Sequence, residues 1–478
     1  MERILSVEQM KRADDFTINK LGVGTDELVW RAGSAVAEEI RRRLKGGRVL
    51  VCIGKGNNGA DGKVVANILS KIHGFTVMTL NVSNGIFKLF DKKYDVIVDC
   101  IFGTGLSKPV EGKYRLAIEK INASGAYVVS CDIPSGLNAD SGIPMGIAVK
   151  ANLTVAIQEY KLGHFLNDGP DYTGEVVARD IGISIWGDEY AKRVNREDLV
   201  RFFPERKKNV NKGSFGKASI VGGSKDYPGS TLLSANALSS FKMGLGYANL
   251  SIPECIFCAT AFVNPECTVT ALKTDGNNII FDKEQFEKFL EYDAVSFGMG
   301  AGVTAENYKI IKYFIENYKG RLLIDADGLN TLAKFGVDIL KESSCSIVLT
   351  PHIKEFSRLI NVDISEILAD PVKYALDFAK KFNVVLVLKS ATTIITDGAE
   401  FYLNTTGCNG LAKAGSGDVL SGVITGLLAG KEDVFDCAVA GCYLFGRAGE
   451  IACKRQNAYT TTASDVINSL SDAINEII

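Results

Sequence analysis

Short apolar runs rich in Val and Ile recur along this chain at 48–53, 75–80, 94–99, 126–131 and 153–157, and again at 218–221, 294–297, 322–325, 346–350 and 384–388. Each is too brief for a buried helix and too uniformly apolar for a strand with one wet face. Helix-length segments or glycine-rich loops separate them, and that alternation predicts parallel sheets covered by helices on both faces. Ser6 with Gln9 has the spacing of a capping box, and Val7, Met10, Ala13 and Phe16 follow at helical intervals, so a helix should open the chain. A second helix is expected over 27–44, with Leu28, Ala32, Val36 and Ile40 on one face. In the second half, helices are expected at 230–243, 304–317, 370–382, 417–429 and 434–453.

The pattern lapses between 180 and 211 into a charged stretch, Arg201-Phe202-Phe203-Pro204-Glu205-Arg206-Lys207-Lys208, and restarts at Lys217. The chain's 478 residues are about three times the ~150-residue prior for one domain. Two α/β/α domains, 1–205 and 206–478, are therefore expected.

With 54 Lys+Arg against 56 Asp+Glu, the chain has no overall positive field to hold a phosphate backbone, which argues against nucleic acid as a partner. No apolar run approaches the ~18 residues of a membrane span, so no membrane is expected and a cytoplasmic location is. The eleven cysteines are odd in number and mostly lie in apolar runs, as at Cys52, Cys100, Cys131 and Cys345, and read as reduced core residues. Cys255 and Cys258 form a CxxC without a second pair or a nearby histidine, which argues against zinc.

Ligands of open α/β sheets bind beyond the carboxyl ends of strands, and four loops there are unusual. Gly54-Lys55-Gly56-Asn57-Asn58-Gly59 satisfies GxGxxG, yet the following run ends Thr79-Leu80-Asn81, without the acid that would take a ribose hydroxyl. Its bare amides and carboxamides suit phosphate oxygens or a weakly held cation, and a plain tight turn is the bland alternative. Asp99, followed by Gly103-Thr104-Gly105, and Asp132, followed by Ile133-Pro134-Ser135-Gly136, put carboxylates at two strand tips. Such a pair could hold a monovalent or divalent cation, or one member could act as a general acid/base. A strand-end Asp is also a common turn former. The fourth loop, Asn409 to Gly417, leads into an apolar helix through Gly415-Ser416-Gly417-Asp418, an arrangement suited to an anion. Asp418 is either a helix cap or a base beside a phosphate cradle. No GxxxxGK[ST] occurs, so a P-loop is excluded. Asp132 and Asp325 each follow a buried run, an echo between the halves that reads as chance rather than duplication.

Together these residues carry a resemblance. Gly54 to Gly62, with Gly103-Thr104-Gly105-Leu106 and Asp132 to Gly136, resembles the NAD(P)HX epimerase domain, a Rossmann-like fold. Lys212 to Gly216, Gly298-Met299-Gly300, Leu349 to His352 and Gly415 to Asp418 resemble the ribokinase-like ADP-dependent NAD(P)HX dehydratase. Their order matches the bifunctional Nnr-type repair enzymes over nearly the whole chain. The resemblance implies substrates NADHX and NADPHX, the redox-dead hydrates of NADH and NADPH. Their R and S forms would be interconverted by the first domain, and the S form dehydrated by the second with ADP as phosphoryl donor, with Mg2+.

By the same resemblance Asn57, Asn58, Gly59, Ala60 and Asp61 contact the hydrate in the first domain, as do Gly103, Thr104, Gly105, Leu106, Ser107, Lys108 and Pro109. Asn58, Asp99 and Ser135 would hold K+, and Asp132 would be the acid/base. In the second domain Ser230, Gly300, Gly302, His352 and Asp418 would meet the hydrate, with Asp418 activating its hydroxyl. His352 could instead be a packed loop residue. Lys389, Ser390, Ala391, Thr392 and Thr393 would hold the nucleotide together with Cys408, Asn409, Gly410, Leu411, Ala412, Lys413, Ala414, Gly415, Ser416 and Gly417. Lys55, Ala60, Lys354, Ser390 and Ala414 depart from the usual family residues and leave every carboxylate in place. A homo-oligomer is expected, because a site roofed by long loops tends to borrow a neighbour. Two other readings fit the residues: a small-alcohol or vitamin kinase with a passenger N-terminal domain, and a non-catalytic scaffold, which the retained Asp99, Asp132 and Asn57-Asn58 disfavour.

Overall fold

The Ser6 hydroxyl accepts from the Gln9 amide while the Gln9 side chain accepts from Ser6 N–H, so the expected capping box starts the first helix. The computed structural model describes residues 2–85, 87–187, 190–239, 243–261, 263–430 and 432–478. The chain divides into two compact units, Arg3–Ala191 and Lys192–Ile478, the latter joined by Glu2. The stretch from 192 to 205, expected with the first domain, goes with the second. Val194 and Leu199 are buried in the core of that unit, with Phe202 and Phe203 packed against it, so the apolar residues inside the charged stretch decide its allegiance.

In the first unit the elements run β1 (Glu2–Leu5), α1 (Val7–Asn19), α2 (Thr25–Arg43), β2 (Gly47–Ile53), α3 (Asn57–Ser70), β3 (Phe75–Asn81), β4 (Val96–Cys100), α4 (Gly112–Asn122), β5 (Tyr127–Cys131), β6 (Leu153–Ile157), β7 (Tyr160–Lys161), α5 (Gly169–Thr173) and β8 (Glu175–Arg179). A six-stranded sheet has the order β3-β2-β4-β5-β6-β8 with every pairing parallel. Its central strands are buried on both faces, in keeping with their Val-rich, mostly apolar composition. The strand order reverses at β2 and β4, which puts the topological switch point at the Gly54 and Ile101–Gly105 loops.

β9 (Ala191–Arg193) follows. The second unit continues β10 (Lys217–Val221), α6 (Pro228–Ser239), β11 (Tyr247–Pro253), α7 (Glu254–Thr260), β12 (Thr268–Leu272), α8 (Lys283–Glu287), β13 (Ala294–Phe297), α9 (Ala305–Asn317), β14 (Arg321–Ile324), α10 (Asp327–Phe335), β15 (Ser346–Leu349), α11 (Ile353–Ile360), α12 (Ile364–Ala369), α13 (Pro371–Phe382), β16 (Val385–Leu388), β17 (Thr393–Thr396), β18 (Phe401–Asn404), α14 (Ser416–Leu428), α15 (Val434–Arg455) and α16 (Ala463–Asn475). The sheet order is β12-β11-β10-β13-β14-β15-β16-β17-β18, parallel as far as β16 and antiparallel beyond it. Its switch point lies between β10 and β13. The expected helix over 230–243 is α6 up to 239; residues 240–242 lie outside those described.

Cys52, Cys100 and Cys131 are buried in strands as expected, but Cys345 lies just ahead of β15 and is half-buried, and Cys255 and Cys258 are exposed on α7. No helix among the described residues is long and apolar enough to cross a membrane.

Candidate functional site

Half of the GxGxxG segment, from Asn57 to Gly59, is helix rather than loop. α3 begins at Asn57 with Gly56 as N-cap and no side-chain cap, so the amides of its first turn remain bare and face outward from the end of β2. Several of the glycines serve packing: a Cβ on Gly54 would stand 1.9 Å from the Ile101 carbonyl oxygen, and one on Gly59 2.3 Å from that of Gly54. Beyond this edge lies a cavity of about 720 Å³ lined by Asn57, Asn58, Asp61, Gly103 to Lys108, and Asp132. Gly59, Ala60 and Pro109, also expected at the substrate, do not line it.

Beneath the cavity Asp99 is fully buried and takes hydrogen bonds from Ser135 Oγ (2.6 Å), Ser135 N–H (2.8 Å) and Ser130 Oγ (2.9 Å). Burial pushes its pKa up while those bonds pull it back. Phe102 N–H donates to Ser135 Oγ at 2.8 Å, and Asn58 Nδ2 donates to the carbonyls of Phe102 at 2.6 Å and Cys131 at 3.2 Å. The three residues expected to hold a cation are thereby knit together, and Asn58 Oδ1 is buried without a partner. An orphaned oxygen beside a carboxylate and a hydroxyl is a donor set for a hard cation. Among the described residues no group of three or more His, Cys, Asp or Glu could hold a metal.

Asp132 sits just past β5 with φ of 68°, a left-handed conformation uncommon for a residue other than glycine. Its neighbours fix it there. Lys161 Nζ, buried on β7, donates to Asp132 Oδ1 at 2.5 Å and to the Ile157 carbonyl at 2.6 Å. Lys161 N–H donates to His164 Nδ1 at 3.0 Å, so the ring proton is on Nε2, which donates to the Asp132 carbonyl at 2.8 Å. Burial, with the Lys161 charge, lowers the His164 pKa to about 4 and keeps the ring neutral. Three more carboxyls, of Asp14, Asp15 and Asp61, line the cavity: burial raises Asp61 to about 8, and Asp14 of α1 to about 6 with Lys161 opposing and the Asp132 charge adding.

In the second unit α14 starts at Ser416 after Gly415, whose φ is 90°, with no side-chain cap; the Ser416 N–H donates to the Lys413 carbonyl at 3.3 Å, and Asp418 in the first turn stands beside the uncapped Gly417 amide. Burial and the Asp325 charge raise Asp418 to about 7, while Lys389 and a hydrogen bond with Ser230 pull it down. Lys389 Nζ donates to Asp325 Oδ1 at 2.9 Å, and Ser421 Oγ to Asp325 Oδ2 at 2.7 Å. Burial works against charge on Lys389, but Asp325 and Glu355 outweigh it and raise its pKa. A Cβ on Gly417 would lie 3.5 Å from Lys389 Nζ, so the strand-end lysine meets the helix start. Gly300 packs against Ser230 and Tyr227, and Gly302 N–H donates to Asp327 Oδ2 at 2.8 Å.

His352 bridges to Lys389 through the backbone and caps α11, its Nδ1 accepting from Glu355 N–H at 3.1 Å. Half its side chain is exposed, so it is a capping residue that still offers a ring edge. Ser390 and Ala391 are exposed and Thr392 is buried. Ala412 to Ala414 are exposed, the Lys413 ammonium is tied to the Tyr459 and Thr461 carbonyls, both at 2.6 Å, and the N–H groups of Leu411, Ala412 and Lys413 donate to carbonyls of the loop itself.

Sequence reasoning passed over Asp14, Lys161, His164 and Asp327, and treated Asp325 as an echo. The echo was the one available signal: Asp132 and Asp325 each follow a buried parallel strand and each pairs with a buried or half-buried lysine.

A family model described as NAD(P)H-hydrate dehydratase matches residues 218–472, and one described as YjeF-related protein N-terminus matches 25–88 and 78–163. The Bifunctional NAD(P)H-hydrate repair enzyme Nnr of Thermofilum pendens is 33% identical, covering 99% of this chain and 96% of its own length. That of Methanothermobacter thermautotrophicus is 32% identical over 96% of this chain and 93% of its own. A Bacillus subtilis ADP/ATP-dependent NAD(P)H-hydrate dehydratase, solved with ATP and Mg2+, has 26% identity and a TM-score of 0.52 over 60% of this chain and 99% of that one. Two strand-end sites in the order of these relatives, matched over nearly the full length, put the chain in the family of bifunctional NAD(P)H-hydrate repair enzymes.

Proposed function

We propose that the first unit interconverts the R and S hydrates of NADH and NADPH and that the second dehydrates the S form with ADP, releasing AMP and phosphate. The observation that carries this is Asp418: a carboxyl of pKa about 7 beside the uncapped Gly417 amide, Lys389 and Ser230. A ring hydroxyl is a poor leaving group. In this reading Asp418 takes its proton as oxygen attacks the terminal phosphoryl group, a contribution of about 10²–10⁴ in rate. Lys389, held by Asp325, lies against the developing charge, and the amides of Gly415 and Gly417 cradle the phosphates. Mg2+ on the phosphates supplies further charge neutralisation. Departure of phosphate from the resulting ester, together with a proton from the neighbouring ring carbon whose C–H electrons become the new double bond, restores the conjugated dihydropyridine.

In the first unit Asn57, Asn58, Asp61 and the loop from Gly103 to Lys108 hold the hydrate, and Asp132 is its acid/base. Asn58, Asp99 and Ser135 would hold K+, a role supported by the orphaned Asn58 Oδ1, and the ion would supply fixed positive charge to the site. A cytoplasmic, homo-oligomeric protein belongs to the same reading, with support from cysteines that are all free among the described residues.

The test is incubation of the purified chain with hydrated NADH and either ADP or ATP. Recovery of dihydropyridine absorbance with release of inorganic phosphate is expected. Accumulation of a stable phosphorylated alcohol would favour a ribokinase-type kinase instead.

A further inference from the structure

Four carboxyls line the cavity of the first unit, those of Asp14, Asp15, Asp61 and Asp132; Asp15 is exposed, and the surroundings of the other three differ. Asp132 is locked to Lys161 and accepts from Ile157 N–H at 3.2 Å. Asp14 lies close enough to Lys161 for the ammonium to oppose its protonation. Asp61, one turn into α3, is buried, lines the cavity and has no ion pair among the described residues. Its seat is built: Gly33 of α2 has no side chain, and a Cβ there would stand 2.6 Å from the Asp61 carbonyl oxygen, so only a glycine lets α3 settle at this depth. A buried carboxyl without a cation beside it holds its proton. Beside it in the cavity, Asp132 is held by Lys161 and the Ile157 N–H, so a proton donor and a fixed carboxyl face one space.

We infer that Asp61 is a second catalytic carboxyl of this cavity, the proton donor to the hydroxyl of the hydrate, with Asp132 as its base and Lys161 and His164 as positioning residues. The inference rests on the epimerase reading of the first unit. Water adds to an enamine at the carbon next to nitrogen, so the hydroxyl of such a hydrate is part of a hemiaminal. The Asp61 O–H proton moves to that oxygen, and the C–O bond breaks with its electron pair leaving on water. The nitrogen lone pair becomes the second bond of a C=N iminium. Water then adds to the opposite face, and the proton it sheds goes to Asp132. The enzyme ends with Asp61 ionised and Asp132 protonated; the reverse epimerisation, or one proton exchanged through solvent, restores it. No oxidant or further reactant is needed.

The other titratable groups on the cavity wall are Lys11, Asp14 and Asp15 of α1, Lys55, Lys108 and Tyr114. Of these Asp14 is the rival acid. The test uses the full chain carrying Asp418→Asn, so that hydrate is not consumed, and follows conversion of pure R to S by chromatography. If that chain does not interconvert the epimers, the epimerase reading itself falls, with or without Asp61. Given interconversion, adding Asp61→Asn should lower kcat by about 10²–10⁴ with KM changed only a few-fold, and Asp14→Asn should cost less. On the chain with native Asp61, kcat/KM should fall as pH rises through about 8. In H2¹⁸O each inversion should place label in the product hydroxyl. A kcat within an order of magnitude of the parent for Asp61→Asn, a rise in KM alone, a pH profile flat through that range, or inversion without label would each overturn the proposal. The pH profile and the label need no variant, so they decide the matter even if Asp61→Asn does not fold.

Discussion

Asp418 has burial and Asp325 holding its proton and Lys389 and Ser230 releasing it, with a balance near neutrality. A base must be ionised to accept a proton, so the dehydratase kcat/KM should be steady above pH about 7 and fall roughly tenfold per unit below it, read from a pH series with S-hydrate and ADP. The same residue shows what was legible. A carboxylate after three residues of Gly-Ser-Gly at a helix start is visible in sequence, because helix geometry fixes where it stands. Lys161 and Asp14 were not: a single lysine in a two-residue strand and an aspartate on an amphipathic helix acquire meaning only when the chain brings them to Asp132. Asn58 is an intermediate case, since its family role could be named but the orphaned oxygen that supports it is a tertiary fact. Replacing K+ by a large organic cation should slow epimerisation and leave dehydration of S-hydrate unchanged; equal effects on both would remove K+ from the first unit.

Strands and helices were legible where apolar runs were long enough to choose a period. Ser346–Leu349 and Val385–Leu388 fall inside their expected ranges because parallel strands buried on both faces must be uniformly apolar. Thr393–Thr396 and Phe401–Asn404 were not expected, since an antiparallel hairpin with polar residues at its ends leaves no such run. The glycine motif is only half a loop: from Asn57 onward it is the first turn of α3, because glycines needed for close approach look in sequence like those needed for a turn. That gives a prediction at this scale. Gly54→Ala puts a methyl 1.9 Å from the Ile101 carbonyl, so β2 and β4 must part at the switch point. A loss of about 2 kcal/mol or more and most epimerase activity is expected, measured by thermal unfolding and R-to-S conversion. An undisturbed melting temperature would mean that the loop yields freely.

Each unit carries its own sheet, its own core and its own strand-end site, and the two halves were separable in sequence because the alternation stops and restarts. The boundary was less legible, since a charged stretch hides the few buried residues, Val194 and Leu199, that commit it to the second core. Independent sites give a prediction for the whole molecule. Starting from pure R-hydrate with ADP, neither Asp132→Asn nor Asp418→Asn should restore the cofactor enzymatically, the first lacking inversion and the second dehydration. An equal mixture of the two variants should restore it, because the S-hydrate can diffuse from one molecule to the other. Failure of the mixture would require direct transfer between sites of one chain.

The most direct measurement is the yield of reduced cofactor from S-hydrate against ADP added, followed by absorbance with AMP and phosphate counted in the same tube. One AMP and one phosphate per dihydropyridine regenerated, with all three lost in Asp418→Asn, is the predicted result. Regeneration without nucleotide, or undiminished in Asp418→Asn, would contradict the account.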